Sequence, residues 1–244
     1  MAHDSLFGSD DDSDAWTSCP EPGPVAALDY PPAPTATATC PPIRGLHVFR
    51  ALITLELQEL LLRSILAEGA VSRQHPQAML FPRLGATKRD ADACPAFLRP
   101  LVLELPGLLK PLLSALDYDT VFNEARPMQT ILNLYEPGHG ITPHVDLPHR
   151  YAEPVLGVSL ASSTVMDFDP LDPSLPSHHL LLRPGDVYIL LRDARYLYRH
   201  GIAYRRLNTY TDENGRQRTL VRGARVSITL RRMLPDAGLL TEEG

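Results

Sequence analysis

The sequence predicts an α+β protein in which a double-sheet jelly roll or barrel packs on helices that precede it in the chain. Before residue 70, apolar residues recur at helical spacing. After Pro127, short β-branched or aromatic runs are separated by Gly, Pro and Asp, and no long helix lies between them. The 244 residues leave room for one substantial domain and a tail.

Residues 1–43 are predicted to form a disordered acidic tail. This stretch is rich in Pro, Ala, Thr and Asp and contains seven acids but no Lys or Arg. Such a composition cannot bury a core. Phe7 and Trp16 lie within the acidic stretch and could dock on a protein partner, although a tail that serves only solubility is the simpler interpretation.

Residues 44–126 are predicted to form a helical N-terminal part with a substrate-recognition lid. The stretch FRALITLELQELLLRSILAEGA predicts one amphipathic helix, which Gly69 is placed to end. The stretch ACPAFLRPLVLELPGLLKPLLSAL contains Pro100, Pro106 and Pro111. Because an interior proline interrupts a helix, we expect at best two short helices there.

Residues 127–234 are predicted to form the strand-rich core, and residues 235–244 a short tail. The strand-like runs are MQTILNLYE, PVLGVSLAS, TVMDFDP, HHLLLRPGDVYILL and ARVSITLRR. Their length and β-branched or aromatic content are typical of strands.

The sequence supports neither a membrane span nor secretion. It has no run of about 18 apolar residues, and its N-terminus lacks the features of a signal or transit peptide. The three cysteines, Cys19, Cys40 and Cys94, are odd in number and far apart, which suits a reducing compartment. We therefore expect a cytoplasmic or nuclear protein.

The stretch GITPHVD places His144 and Asp146 two residues apart, just after the glycine-rich turn EPGHG. Side chains two apart on a strand point to the same face, so both can bind one ion. The alternative is a polar strand edge in water, because so short a pattern is common by chance.

His200, in RYLYRHGI, is the preferred third ligand. It ends a strand-like run among aromatic residues and follows a turn and strand that can return the chain to the sheet. Two His and one Asp form the facial triad that holds Fe(II) with open coordination positions. The competing histidines are His139, His149, His178 and His179.

The stretch RVSITLR places two arginines and two hydroxyl residues on one strand face. These residues are Arg225, Ser227, Thr229 and Arg231. An edge strand with its polar face in water is one interpretation. If this face lines a barrel interior, the arginines need an anion, which a dicarboxylate cosubstrate supplies. In ILNLY, Asn133 and Tyr135 share a face and offer neutral donors to the same ligand.

The order of these motifs resembles the AlkB family of Fe(II)- and 2-oxoglutarate-dependent dioxygenases over residues 127–233. The matching motifs are N-x-Y in NLY, H-x-D in GITPHVD, a later His in LYRHGI, and R-x-S-x-T-x-R in RVSITLR. The resemblance implies a double-stranded β-helix with an N-terminal nucleotide-recognition region. It implies O2 as a reactant and Fe(II) bound by His144, Asp146 and His200. It also implies 2-oxoglutarate contacts from Asn133, Tyr135, Arg225 and Arg231, with Ser227 and Thr229 as nearby donors.

The spacing of the two arginines limits their roles. Six residues separate Arg225 from Arg231, which is about 20 Å along an extended strand. On an extended strand, the two arginines therefore cannot both bind the same carboxylate of the cosubstrate. Because family members place the first arginine at the distal carboxylate, we expect Arg225 there and Arg231 at the inner end of the pocket or in a structural pair.

The motifs look most similar to the branch of the family whose animal members hydroxylate a modified wobble uridine of tRNA. Those animal proteins also carry an RNA-recognition module and a methyltransferase domain, for which this chain has no room. The region before the core offers further candidates for substrate contact. These are Arg83, Lys88, Arg89 and Arg126 for phosphates and Phe81 or Tyr118 for base stacking, with packing in the core as the alternative for the aromatic pair.

We therefore expect a nucleic-acid base in RNA or DNA to be hydroxylated or oxidatively demethylated, with release of succinate and CO2. Between Arg183 and Arg232 there are twelve arginines and four acids, a balance of +8 that could follow a phosphate backbone. A solvated arginine-rich surface is the alternative for this segment. The alternative functions are an oxygenase acting on protein side chains and a non-catalytic interaction module.

Overall fold

The computed structural model describes residues 34–81 and 90–234, with side chains omitted at positions 92 and 93. The predictions for most of the acidic tail, including Phe7 and Trp16, and for the C-terminal tail lie outside these ranges. So do Arg83, Lys88 and Arg89 among the candidates for substrate contact. The described residues from Thr35 onward belong to one compact unit.

Two sheets form the body of the described chain, and their strand content confirms the predicted α+β class. The strands are β1 (Thr35–Thr37), β2 (Leu46–Phe49), β3 (Gln77–Leu80), β4 (Met128–Tyr135), β5 (Ile141–His144), β6 (Tyr151–Leu160), β7 (Thr164–Pro170), β8 (His178–Leu182), β9 (Val187–Leu190), β10 (Tyr198–Ile202), β11 (Leu207–Thr211), β12 (Gln217–Val221) and β13 (Arg225–Met233). One sheet has the order β12-β11-β1-β8-β7-β10-β5 and the other the order β2-β9-β6-β13-β4-β3. This is the jelly-roll arrangement that the sequence predicts, and β1, β2 and β3 add strands to it from before residue 127.

The main hydrophobic core combines side chains from both sheets. Val155, Tyr188 and Leu190 come from one sheet, and Phe168 and Leu180 come from the other. Each large apolar side chain that is fully buried contributes roughly 1.5–3 kcal/mol to stability. The core therefore holds the two sheets together and fixes the positions of the strands that carry the site.

The helices lie mostly before the strand-rich part of the chain. They are α1 (Leu55–Ala67), α2 (Asp90–Ala93), a 3₁₀ turn (Ala96–Leu98), α3 (Arg99–Leu109), α4 (Ala115–Val121) and α5 (Arg192–Tyr196). The hydroxyl of Thr54 caps α1 by accepting from the N–H of Leu57 at 3.3 Å. Gly69, with φ of +60°, follows the end of α1, as its sequence position predicts. None of the described helices is long and apolar enough to cross a membrane.

The expected interruption at Pro106 is wrong, because α3 runs through this residue. Proline removes one N–H from the helix, but its own carbonyl still accepts from the N–H of Lys110 at 3.0 Å. Leu101, Leu105 and Leu109 are fully buried on one face of α3. Their packing holds the helix together across the missing hydrogen bond.

The boundary of the predicted tail at residue 43 is also wrong. β1 pairs in parallel with β11 and with β8, and Ala36 and Ala38 are buried in a small apolar cluster with Val165 and Leu181 of the same sheet. The alternating threonine and alanine of TATAT thus places small side chains inward on one face of a strand. This alternation looks like low complexity in the sequence, and long-range strand pairing gives it structure.

Candidate active site

A cavity of about 420 Å³ lies between β4 and β13 of one sheet and β5 and β10 of the other. Its lining includes all nine residues that the sequence analysis assigns to the iron and to 2-oxoglutarate. They are Asn133, Tyr135, His144, Asp146, His200, Arg225, Ser227, Thr229 and Arg231. The fold therefore brings two separate groups of sequence candidates to one cavity.

The proposed metal ligands meet because two strands align in register. His144 ends β5, and His200 on β10 is its direct partner in the antiparallel pair. Asp146 follows two residues after His144, and the ligand atoms of the three side chains all lie within 4.8 Å of one another. Within the described ranges this is the one group of three or more His, Cys, Asp or Glu side chains close enough to share an ion.

The orientation of each ligand suits a metal. His144 Nδ1 donates to the carbonyl oxygen of Thr142 at 2.8 Å, so its Nε2 carries the free lone pair. His200 Nε2 lies 3.7 Å from Asp146 Oδ2, and that carboxylate oxygen is buried with no hydrogen-bond partner. An unpaired buried carboxylate oxygen is costly unless a cation accompanies it. Two imidazole nitrogens and one carboxylate fit Fe(II).

The electrostatic environment holds the ligands in the protonation states that a metal requires. Burial lowers the pKa of His200 to about 4, so its imidazole is neutral at pH 7. Burial acts to raise the pKa of Asp146, but His200 in its protonated form and the permanent charges of Arg231 and Arg195 outweigh this effect and hold that pKa below its usual value. The carboxylate is therefore ionised, and neither ligand must lose a proton before it binds a cation.

Arg231 holds the carboxylate of Asp146. Its Nη1 donates to Asp146 Oδ1, while its Nε and Nη2 donate to Oε1 of Gln129 at 2.9 and 2.6 Å. Its guanidinium also lies over the ring of Tyr151, 3.7 Å from the ring centroid. Arg231 is thus committed to the metal end of the cavity, and the other oxygen of Asp146 remains available for an ion.

Arg195 supports the same loop from the main-chain side. This buried residue of α5 donates from Nη1 to the carbonyl oxygen of Asp146 at 2.9 Å and from Nη2 to that of Tyr151 at 2.8 Å. In the sequence, Arg195 is only one of the arginines of the positive segment. The run RDARYLY also contains Arg192 and Asp193, so no local signal marks Arg195 as the buried one.

Arg225 lies at the other end of the cavity. Its Nε donates to Oγ of Ser159 at 3.0 Å, but both terminal nitrogens are buried without a hydrogen-bond partner. In the β4–β13 pair, Arg225 is opposite Tyr135 and Ser227 is opposite Asn133. An unpaired buried guanidinium requires an anion, so this arrangement indicates a binding site for a carboxylate.

The edge-strand interpretation of RVSITLR is wrong. β13 lies in the middle of its sheet, between β6 and β4, and nearly all of its residues are buried. The polar face therefore lines the cavity and does not meet bulk water.

Tyr188 is a cavity residue that sequence reasoning missed. Burial raises the pKa of Tyr188 to about 12, and the phenol shares a hydrogen bond with Thr229. Gly157 makes room for it, since a Cβ at that position would overlap the tyrosine ring. The amide oxygen of Asn133 accepts from Nε2 of Gln77 at 2.7 Å, so its NH2 group is oriented as the remaining donor toward a ligand.

The other histidine candidates lie away from this group. His179 Nδ1 contacts Asp167 Oδ1 at 2.7 Å, and its neighbour His178 packs near Tyr198. Neither of these two histidines lines the cavity that contains the triad. His139 and His149 are likewise absent from the group of ligand atoms within 4.8 Å.

The three described candidates for substrate contact separate into different places. Tyr118 lines another cavity, of about 340 Å³, and packs on Phe122 with ring centroids 4.8 Å apart. Arg126 lies beside Glu153 in a third cleft. Phe81 is 53% exposed, which contradicts the expectation of core packing, and it follows the cavity-lining Met79 by two residues.

The predicted positive surface from Arg183 to Arg232 is only partly a surface, because five of its twelve arginines are buried. These are Arg195, Arg222, Arg225, Arg231 and Arg232. Three others form ion pairs, namely Arg183 with Glu213, Arg192 with Asp117 and Arg218 with Asp212. The balance of +8 therefore overstates the charge that a nucleic acid can meet.

Residues 45–231 match the family model described as the 2OG-Fe(II) oxygenase superfamily, which covers the whole cavity. An uncharacterized protein of Acanthamoeba polyphaga mimivirus is 33% identical over 58% of this chain and 65% of its own length. The mouse tRNA (carboxymethyluridine(34)-5-O)-methyltransferase ALKBH8 is 30% identical over 55% of this chain, but only 22% of that protein is matched. The Arabidopsis thaliana alkylated DNA repair protein ALKBH8 homolog is 25% identical over 53% of this chain and 42% of its own length.

Among solved structures, OsALKBH1 is similar with a TM-score of 0.46 and 15% identity, over 77% of this chain and 97% of the other. For the mimivirus, mouse and Arabidopsis relatives, the region that matches this chain spans less than two thirds of the relative's own length. The family model, in contrast, covers most of the present chain. The chain therefore belongs to the 2OG-Fe(II) oxygenase superfamily.

Proposed function

We propose that this protein is an Fe(II)- and 2-oxoglutarate-dependent dioxygenase that hydroxylates or oxidatively demethylates a nucleic-acid base. The observation that carries the proposal is that one cavity contains two buried charged groups whose polar atoms lack hydrogen-bond partners. Asp146 Oδ2 at one end lacks a partner, and so do both terminal nitrogens of Arg225 at the other. A cation and a dicarboxylate together satisfy both ends.

In this proposal, Arg225 binds the distal carboxylate of 2-oxoglutarate through its two terminal nitrogens. Tyr135 and Asn133 lie opposite Arg225 and Ser227 on the neighbouring strand and donate to the same ligand. Thr229 and the neutral phenol of Tyr188 form the wall between the two ends of the cavity. These contacts orient the cosubstrate so that its oxo-acid end points at the triad.

His144, Asp146 and His200 hold the metal in this proposal, and Arg231 with Arg195 keeps Asp146 in place. Bound Fe(II) and 2-oxoglutarate couple the decarboxylation of 2-oxoglutarate to succinate and CO2 with the hydroxylation of a substrate C–H bond by O2. A hydroxylated N-methyl group then leaves as formaldehyde. The chain contributes binding, orientation and an enclosed site that limits access of water.

The proposed substrate class rests on the relatives and on the exposed side of the cavity. The mouse and Arabidopsis relatives are named for tRNA methylation and for alkylated DNA repair. Met79 and Phe81 are half exposed on the same face of β3 and its continuation, where a base can stack. A base within a duplex must be flipped out to reach such a site.

Two further parts of the proposal concern the cellular context. Cys40 and Cys94 are free thiols, which agrees with a reducing compartment such as the cytosol or the nucleus. We also propose that the acidic N-terminal residues contact a protein partner, as their charge and aromatic residues suggest.

The proposal is tested by succinate release during a screen of total tRNA, methylated RNA and methylated DNA, followed by mass spectrometry of the nucleosides. We expect one class of nucleic acid to stimulate succinate release and to gain a hydroxyl or lose a methyl group. Stimulation by a protein and by none of the nucleic acids would overturn the substrate class. Absence of any iron-dependent succinate release would overturn the proposed enzyme activity.

A further inference from the structure

The loop of residues 203–206, here called the rim loop, comes directly after a strand that lines the cavity. The last residue of this strand, β10, is Ile202, which lines the cavity together with Ile141 of β5. Tyr204 in this loop is 68% exposed. Arg206 is exposed and Arg205 is partly buried, and neither forms an ion pair with any carboxylate in the described part of the chain.

The backbone of the rim loop is fixed by Arg222, whose side chain is buried. Arg222 Nη1 donates to the carbonyl oxygens of Ala203 at 2.7 Å and of Arg205 at 2.9 Å. Its Nη2 donates to the carbonyl oxygen of His139, and its N–H donates to that of Arg206 at 2.9 Å. These bonds use only main-chain oxygens of the loop, so the loop side chains keep their own hydrogen-bonding capacity.

The glycine turn EPGHG, residues 136–140, packs directly on the rim loop. A Cβ on Gly140 would overlap the carbonyl oxygen of Ile202, and a Cβ on Gly138, which has φ of +93°, would lie 3.1 Å from Cγ of Arg206. Glycine at both positions therefore allows the turn that precedes β5 to contact the loop that follows β10. The metal-binding strands and the rim loop form one continuous edge of the site.

We propose that the rim loop binds the nucleic-acid strand that carries the target base. Tyr204 stacks on a base next to the target, while Arg205 and Arg206 contact phosphates of the backbone. This inference rests on the proposed function and assigns the strand-binding surface for the same site. The proposal assigns phosphate contacts to two of the twelve arginines between Arg183 and Arg232, and it leaves the other sequence candidates Arg83, Lys88, Arg89 and Arg126 untested.

The chemistry of the loop favours a single strand over an acidic peptide. An exposed aromatic ring beside two cations that lack carboxylate partners combines the two contacts that single strands make, namely base stacking and phosphate neutralisation. An acidic peptide would use the two cations but would leave Tyr204 exposed. Because the backbone is already fixed, little backbone conformational entropy is lost when the loop binds a ligand.

The test measures binding of a labelled single-stranded RNA and a single-stranded DNA oligonucleotide to the full chain across a range of salt concentrations. The double variant Arg205→Gln/Arg206→Gln should lower the slope of log affinity against log salt by about 1.4, since each single-strand phosphate contact contributes about 0.7. Tyr204→Ala should weaken binding about tenfold with an unchanged slope. Tyr204→Phe should retain affinity, because the ring remains.

Arg216→Gln is the matched control, since Arg216 is exposed at the turn between β11 and β12, away from the cavity lining. This control should leave affinity and salt slope unchanged. Every variant should retain the 2-oxoglutarate turnover that occurs without nucleic acid, which shows that the fold and the cavity are intact.

Two results overturn the inference in distinguishable ways. If the wild type binds the oligonucleotides and the rim-loop variants bind equally well with the same slope, the rim loop is not the strand-binding surface and the proposed function stands. If the wild type turns over 2-oxoglutarate but binds neither oligonucleotide, or binds only an acidic peptide used as a competitor, the nucleic-acid substrate itself is contradicted and the inference fails with it.

Discussion

Replacing Arg225 with Lys is expected to weaken 2-oxoglutarate binding and to leave the iron site nearly unchanged. Arg225 lies at the end of the cavity remote from the triad, with its two terminal nitrogens unpartnered and its Nε bonded to Ser159. Lysine keeps the positive charge but loses the planar fork, so it cannot replace a bidentate contact. The change therefore separates geometry from charge at the proposed carboxylate site.

The expected size follows from the bonds that the substitution removes. A hydrogen bond to a charged group contributes about 1.5–3 kcal/mol, and lysine retains one such bond to the carboxylate. Loss of one bond, or about 2 kcal/mol, corresponds to a rise of about 30-fold in the Kd for 2-oxoglutarate. Arg231→Lys should behave differently, because Arg231 contacts Asp146 and Gln129, and its replacement should mainly lower the affinity for iron.

The assay is calorimetric titration of 2-oxoglutarate into protein loaded with Mn(II), a redox-inert substitute, with metal binding measured separately. Arg216→Lys is the control, since it makes the same chemical change at an exposed turn. An unchanged Kd in Arg225→Lys combined with a raised Kd in Arg231→Lys would show that the two roles are reversed. An unchanged Kd in both variants would refute the assignment of β13 to the cosubstrate pocket.

Three further predictions follow from buried groups around the cavity. Arg195→Met should lower both the unfolding temperature and the affinity for iron. The change leaves the carbonyl oxygens of Asp146 and Tyr151 without their hydrogen bonds, at a cost of about 1–3 kcal/mol each. Thermal unfolding and metal titration measure the two effects, and no change in either would contradict the prediction. Burial raises the pKa of Tyr188 to about 12, so the stability that its neutral phenol contributes below pH 10 should be lost between pH 10 and 12. In denaturant unfolding, the free energy of unfolding should fall more steeply over this range in the wild type than in Tyr188→Phe. Equal falls in the two proteins would contradict the assignment. Gly140→Ala should destabilise the edge of the site, because its Cβ would overlap main-chain atoms; a wild-type unfolding temperature would show that the turn can move.

The sequence predicted the candidate site where the site residues alternate along a strand and therefore share one face. The alternation in NLY and RVSITLR places polar side chains on one face, and the β4–β13 register then sets Asn133 opposite Ser227 and Tyr135 opposite Arg225. His144 and Asp146 also lie close together as predicted, although β5 ends at His144 and Asp146 follows it outside the strand. Local pattern was sufficient for the cosubstrate residues because β4 and β13 pair regularly over them.

The misses have a different physical origin, since they depend on contacts between residues far apart in the chain. The sequence around Arg195 does not distinguish it from Arg206. Arg195 is buried because the fold places it against the main chain of Asp146, whereas Arg206 faces solvent. The strand formed by TATAT depends on pairing with β11, about 170 residues later in the chain. Helix α3 continues through Pro106 because packing of its buried leucines outweighs one lost hydrogen bond.

The central claim, that His144, Asp146 and His200 form an iron site that serves 2-oxoglutarate turnover, is tested most directly by comparing the wild type with Asp146→Ala. We expect the wild type to bind one Fe(II) per chain and to convert 2-oxoglutarate to succinate in an iron-dependent manner. Asp146→Ala should retain the circular-dichroism spectrum of the wild type and lose both properties, since an open metal site tolerates loss of its ion without unfolding. Iron-dependent succinate formation at the wild-type rate in Asp146→Ala would contradict the account.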